Sequence, residues 1–213
     1  RFVRSRRPIL DGQLSELRAL ATLAADDDVE RRDTGIADLD GIYELRFVVE
    51  GSGAYTAVNG ERTTMQPGDF IITPAWTWHD HGSDAGGPVV WLDGLDIPLV
   101  RFFDAGFAEN ASTDSQSITR PEGPTLARYG ANMAPLREPP PHGATSPIFS
   151  YPYARSLDAL QRLQRDGVMD AWDGVKLAYI SPATGGAPTP TMAAFLQLLP
   201  KGFEGKPYRQ TDG

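Results

Sequence analysis

ELRFVVEGSGAYTAVNGERTTMQPGDFIITPAWTWHDHG, residues Glu44–Gly82, decides the fold of this chain. Short runs rich in Val, Ile, Phe, Tyr and Thr alternate with turn residues, the pattern of antiparallel strands. ELRFVVEG (Glu44–Gly51) and AYTAV (Ala54–Val58) read as the first two strands. Asn59-Gly60 tolerates the positive φ angles of a type I′ turn and folds ERTTM (Glu61–Met65) back as a hairpin. Pro67-Gly68-Asp69 turns the chain again before FIITP (Phe70–Pro74). A Trp/His-rich segment follows, and VVWLDGLDIPLV (Val89–Val100) reads as more strand. Short strands at even spacing, punctuated by Gly and Pro, predict an antiparallel barrel or jelly roll.

Outward from this block the character changes. Residues 11–25 predict a helix, with Asp11 at its start and Leu14, Leu17, Ala21 and Ala24 at helical spacing. Residues 111–150 are rich in Pro, Ser and Gly and read as a long ordered loop or linker. A second helix is predicted over Ser156–Gln164, with Leu157, Leu160 and Leu163 inward and Gly167 ending it. Residues 193–213 return to strand material.

Composition excludes several functions. The chain of 213 residues has a formal charge of −8, which argues against broad attachment to nucleic acid. Its basic cluster, Arg1–Arg7, is short and reads as a solvated arm, and Asp26, Asp27 and Asp28 read as a solvated turn. No stretch approaches the ~20 continuous apolar residues of a membrane span. Cysteine is absent, which removes disulfides and thiolate metal sites and fits a cytoplasmic protein. Small molecules and other protein chains are the partners left.

Two segments carry chemistry. In TPAWTWHDHG (Thr73–Gly82), alternation on a strand points His79 and His81 to one face and Trp78 and Asp80 to the other. Two imidazoles facing a barrel interior are half a metal site, or a pair of satisfied polar residues at its rim. In DLDGIYELRF (Asp38–Phe47), one continuous strand would put Asp38, Asp40, Glu44 and Arg46 on one face. Carboxylates there suit a hard divalent cation, and Arg46 offers a two-pronged donor for a substrate carboxylate. The alternative is a solvated turn at Asp38–Asp40, with the strand starting at Tyr43. Asp93 sits among apolar neighbours, so its burial calls for a partner such as Arg46 or His81, or for a backbone turn contact. His142, in PPPHG, reads as an exposed loop residue.

Arg46–Gly82 together with WLDGLDIPLV (Trp91–Val100) closely resembles the gentisate 1,2-dioxygenase family, which includes the salicylate and 1-hydroxy-2-naphthoate dioxygenases. The likeness continues through RYGANM (Arg128–Met133), SPIFSYPY (Ser146–Tyr153), DAWDGVKL (Asp170–Leu177), SPATGGAPTPT (Ser181–Thr191) and AAFLQLLPKGF (Ala193–Phe203). It covers about residues 44–213. The resemblance implies a mainly β fold, a cupin β-barrel or jelly roll with few helices, followed by the start of a second cupin. The expected organisation is a helical segment over 1–35, the cupin barrel over 36–110, a linker with a helix over 111–180, and a truncated second cupin opening over 181–213.

The resemblance also implies Fe(II), O2 and cleavage of an aromatic ring between carbons bearing hydroxyl and carboxyl groups. Three histidines hold iron in the family, two from an HxH ahead of the Arg-Phe pair and one from Trp-His-Asp-His. This chain has Asp38, Asp40 and His79 at those positions, so its expected metal ligands are two aspartates and one histidine. Arg46 is expected to grip the substrate carboxylate, His81 to hydrogen-bond substrate or oxygen or serve as acid/base, and Asp93 to orient a neighbour. Gentisate, salicylate and hydroxynaphthoate are not separated by these residues. A homo-oligomer is compatible with exposed strand faces. The competing expectation is a non-catalytic cupin that binds a small aromatic acid or serves as an assembly module; a cupin isomerase or sugar-binding cupin fits the resemblance less well.

Overall fold

The strands predicted around Glu44–Gly82 form two sheets whose inward side chains meet in one interior. The structure is a computed structural model that describes residues 38–84, 88–140 and 143–209. All of them belong to one compact unit, residues 34–213. The helix expected over 11–25, the clusters at Arg1–Arg7 and Asp26–Asp28, and His142 lie outside the described residues.

The strands are β1 (Asp38–Asp40), β2 (Glu44–Glu50), β3 (Ala54–Val58), β4 (Glu61–Thr64), β5 (Phe70–Thr73), β6 (Trp78–Ser83), β7 (Val90–Leu95), β8 (Ala108–Asn110), β9 (Ser150–Tyr151), β10 (Val175–Ala178) and β11 (Phe195–Leu198). The helices are α1 (Ile97–Phe102), α2 (Pro124–Tyr129) and α3 (Tyr153–Arg165). A five-stranded sheet has the order β4-β3-β6-β1-β8 and a four-stranded one the order β7-β2-β5-β9, all pairs antiparallel. Strands β10 and β11 form a separate antiparallel pair.

Local chemistry sets the turns. Asn59 (φ 45°) and Gly60 (φ 78°) adopt the expected left-handed pair between β3 and β4. Gly51 (φ 89°) turns the chain from the four-stranded to the five-stranded sheet; a Cβ there would come within 2.5 Å of the Pro88 carbonyl oxygen. Asp69 accepts the N–H of Gln66 at 2.9 Å and that of Tyr153 at 2.8 Å, tying the turn before β5 to the start of α3. Helix α3 spans the predicted Ser156–Gln164 and buries Leu160. No described helix is long and apolar enough to cross a membrane.

Two expectations change. Asp38–Phe47 is not one strand: β1 pairs with β6 and β8 in one sheet, and β2 pairs with β5 and β7 in the other. The Asp40 side chain accepts the N–H of Ile42 at 3.0 Å, and the Asp40 carbonyl accepts that of Trp76, so the chain bends across the gap between sheets. The strand read over Val89–Val100 stops at Leu95. Pro98 cannot donate to a ladder but suits the first turn of a helix, and α1 begins there.

The interior has two halves. Val48, Ala54, Met65 and Ile71 form its apolar floor, with Val89 and Trp91 against them. On the outer face of the four-stranded sheet, Phe70 and Ile72 pack with Tyr179, Leu45, Tyr151 and Leu196, so the C-terminal segments cover the barrel. Removing the Ile71 side chain leaves a cavity in the floor. Ile71→Ala is expected to cost about 2–5 kcal/mol, and Leu92→Ala, 64% exposed, within about 0.5 kcal/mol. Urea unfolding midpoints of the two variants check this order.

Glu61 is 0% exposed. Its Oε1 accepts the N–H and hydroxyl of Thr125 at 3.2 and 2.6 Å, while Oε2 has no hydrogen-bond partner. Burial raises its carboxyl above the ordinary glutamate range, against the opposing pull of Thr125. The folded chain therefore holds this proton more tightly than the unfolded chain. The associated stability is full below the ordinary range and is lost as pH rises through the raised value. Glu61→Gln is expected to flatten that alkaline-side decline in a series of thermal melts; an unchanged slope would show that Glu61 does not set it.

Candidate functional site

Arg46 lies on β2 with its guanidinium in the polar half of the interior, and the residue is only 2% exposed. A guanidinium carries five N–H donors and cannot shed its charge, so burial demands an acceptor for each. Register supplies them. Asp93, exposed where its apolar neighbours predicted burial, stands directly opposite Arg46 on β7 and takes Nε–H at 2.7 Å and Nη2–H at 3.2 Å. Glu44, two residues before Arg46 on the same face, accepts from Nη2 at 3.1 Å. Thr56 on β3 accepts from Nη1 at 2.9 Å, and His81, opposite Thr56 on β6, receives Nη1–H on Nδ1 at 3.0 Å. The Trp91 ring lies 5.0 Å from the guanidinium carbon, and its indole N–H donates to Asp93 at 3.0 Å.

The two histidines share a face, as their spacing predicts, with ring centroids 5.6 Å apart. Their partners give them opposite tautomers. His79 Nδ1 faces the Thr77 carbonyl at 3.2 Å, which only accepts, so Nδ1 carries the proton and Nε2 the coordinating lone pair. A histidine that donates its far N–H to a carbonyl is oriented as metal ligands commonly are. Arg46 only donates, so His81 Nδ1 is an acceptor and neutral His81 carries its proton on Nε2, 4.0 Å from Glu44.

Among the described residues, Glu44, His79 and His81 each place one ligand atom within 4.8 Å of the others. Two imidazoles and a carboxylate are a donor set suited to Fe(II). Distance and hydrogen bonding pull apart at His81: it lies within reach of a shared ion, yet it presents N–H while Arg46 holds Nδ1. The chemistry of that bond is decisive, and His81 is a donor in this arrangement.

The register sets Asp38 opposite His79; the Asp38 side chain lies outside the described residues. Asp40 is near enough to push the Glu44 carboxyl upward. Glu44 titrates above the ordinary range chiefly because of burial; Arg46 and His79 pull it down, and Asp93 and Asp40 push it further up. The structure thus gathers Arg46, His79, His81 and Asp93, with Asp40 at the edge. Glu44 and Thr56 were not singled out as site residues from the sequence. The signal for Glu44 was its place two residues before Arg46 on an inward face. Asp93→Ala removes two charge-assisted bonds from a buried cation and is expected to cost about 2–3 kcal/mol, whereas Asp84→Ala, on an exposed pair with Arg62, is expected to cost less than about 1 kcal/mol. Denaturant melts of both variants measure the difference.

A cupin domain profile matches residues 40–95. The chain is 54% identical over 168 residues to gentisate 1,2 dioxygenase 1 of Aquipseudomonas alcaligenes, covering 79% of this chain and 48% of that protein. It is 38% identical to a 1-hydroxy-2-naphthoate dioxygenase of Nocardioides sp., over 78% of this chain and 43% of the relative. Salicylate 1,2-dioxygenase of Pseudaminobacter salicylatoxidans superimposes with a TM-score of 0.70 at 27% identity, over 85% of this chain and 62% of that one. The chain therefore spans about half the length of the curated relatives it matches. Over that span it belongs to the gentisate 1,2-dioxygenase family of cupin proteins.

Proposed function

We propose that this chain is the first cupin of an Fe(II)-dependent ring-cleaving dioxygenase acting on gentisate or a related hydroxylated aromatic carboxylate, with residues 181–213 opening a second cupin. The observation that carries this reading is the convergence of Arg46, His79 and His81 inside a barrel related to such enzymes, with Asp93 pairing Arg46 from the exposed side. A salicylate dioxygenase variant solved in complex with gentisate has the same fold at 31% identity and a TM-score of 0.69.

The donor chemistry fits iron. His79, through Nε2, would hold it beside Glu44, and Asp38 and Asp40, at the family's two other ligand positions in the sequence, are the further ligands this reading calls for. Bound Fe(II) supplies the centre at which the substrate oxygens and O2 are brought together. The protein's own residues do the rest. Arg46 orients the carboxylate of the aromatic acid, and Asp93 and Trp91 hold Arg46 in place. His81 presents Nε2–H to an oxygen of substrate or O2 and can pass or take a proton there. The apolar floor of Val48, Ala54, Met65 and Ile71 keeps water from that end. Aromatic acid and O2 are the expected partners, in a cytoplasmic protein that can associate with further copies.

A second reading has its own support. Carboxylates at positions 38 and 40, where the family has histidine, add negative charge to the site. They favour a non-catalytic cupin that binds a small aromatic acid or serves in assembly. Anaerobic Fe(II) reconstitution and desalting separate the two. The dioxygenase reading expects near-stoichiometric iron, its loss in His79→Ala, and O2 uptake on adding gentisate. Iron retained by neither parent nor variant would leave the non-catalytic reading.

A further inference from the structure

Arg46 has no donor left for a ligand. Asp93 takes two of its five N–H groups, and Thr56, His81 and Glu44 take one each. An arriving carboxylate must replace one of these acceptors. Thr56 and His81 are neutral acceptors on the far side of the guanidinium from Asp93. Asp93 also receives the Trp91 indole N–H and sits opposite Arg46 in the strand register, so it is held three ways. Glu44 receives a single Arg46 bond at 3.1 Å, and its Oε2 stands 4.0 Å from His81 Nε2, beside the histidine pair. Of the two carboxylates on Arg46, Glu44 is the less tightly held and the closer to the metal-ligating face.

Resting on the aromatic-acid reading above, we infer that Glu44 is a resident carboxylate occupying the place at Arg46 that the carboxylate of an aromatic acid takes, and so sets how tightly this chain binds such acids. With Glu44 in place, an incoming anion meets two carboxylates around one cation and is repelled. With Glu44 displaced, Arg46 offers a charge-assisted bond and His81 a second donor within reach. Glu44 is thereby a specificity-determining residue: it weakens anionic aromatic acids more than the same ring without a carboxylate.

The test measures binding of gentisate and of hydroquinone, which shares the dihydroxy ring but lacks the carboxylate. Titration calorimetry is run on the full chain, Glu44→Gln and Glu44→Ala, with iron content measured in every sample. Glu44→Ala is expected to tighten gentisate about ten-fold or more. Glu44→Gln keeps the shape and an acceptor while losing the charge, so it tightens gentisate by less; hydroquinone affinity stays constant in both. Adding Arg46→Met to Glu44→Ala cancels the gain. Gentisate bound no more tightly by either variant overturns the inference, as does an equal gain for hydroquinone or no gentisate binding by any chain. Should Glu44→Ala unfold, shown by its melt, the near-isosteric Glu44→Gln decides alone. Iron retained without tightening sinks the inference and leaves the dioxygenase reading standing; tightening without iron does the reverse.

Discussion

A guanidinium buried in the barrel is the constraint around which this structure is arranged. Unpaired, the Arg46 charge would cost far more than a domain's whole stability margin can absorb. Four strands therefore bring acceptors to it: Glu44 from β2, Thr56 from β3, His81 from β6 and Asp93 from β7. This requirement also polices register. Shifting β7 by one residue against β2 would turn Asp93 to the opposite face and present Leu92 or Gly94 to the cation. The same holds for Thr56 and His81, which stand opposite each other across β3 and β6.

The polar cluster is tolerable because it is confined. Below it, Val48, Ala54, Met65 and Ile71 pack as an ordinary core, and Thr56 marks the boundary, its hydroxyl 3.0 Å from His81 Nδ1 on the polar side and 3.6 Å from the Met65 sulfur on the apolar side. Trp91 joins the halves: its ring lies against both the apolar floor and the guanidinium, while its N–H holds Asp93. One side chain thus supplies apolar area, a cation–π contact and a hydrogen bond at one place.

What could be read from the sequence is what local chemistry determines. Asn59-Gly60, the alternation in Glu44–Glu50 and the shared face of His79 and His81 follow from turn geometry and period-two pleating, and the structure has them. The break between Asp40 and Glu44 depends on bonds from Trp76 and Phe107, residues remote in sequence, so a continuous strand was an equally good local solution. Likewise, Asp96 at the end of β7 is fixed by the N–H of Tyr43 and the hydroxyl of Thr191, partners that no window around Val89–Val100 contains. Arg46 was visible from the strand face it shares with carboxylates, His81 from its spacing to His79, and Asp93 from its apolar neighbours in sequence. Glu44 was visible only as a member of that face, since its significance lies in which Arg46 donor it fills.

The two histidines show why position alone does not assign a role. They are two residues apart, on one strand and one face, and sequence treats them as equivalent. Their Nδ1 partners are opposite in kind: a backbone carbonyl for His79 and an arginine N–H for His81. The carbonyl leaves His79 able to give an electron pair from Nε2; the arginine leaves His81 able to give a proton from the same atom. Making His81 a ligand as well would require Arg46 to withdraw from Nδ1, and Arg46 is held there by the Asp93 pair and the Trp91 ring. The buried cation that fixes the strand register thus also divides the labour between the two imidazoles.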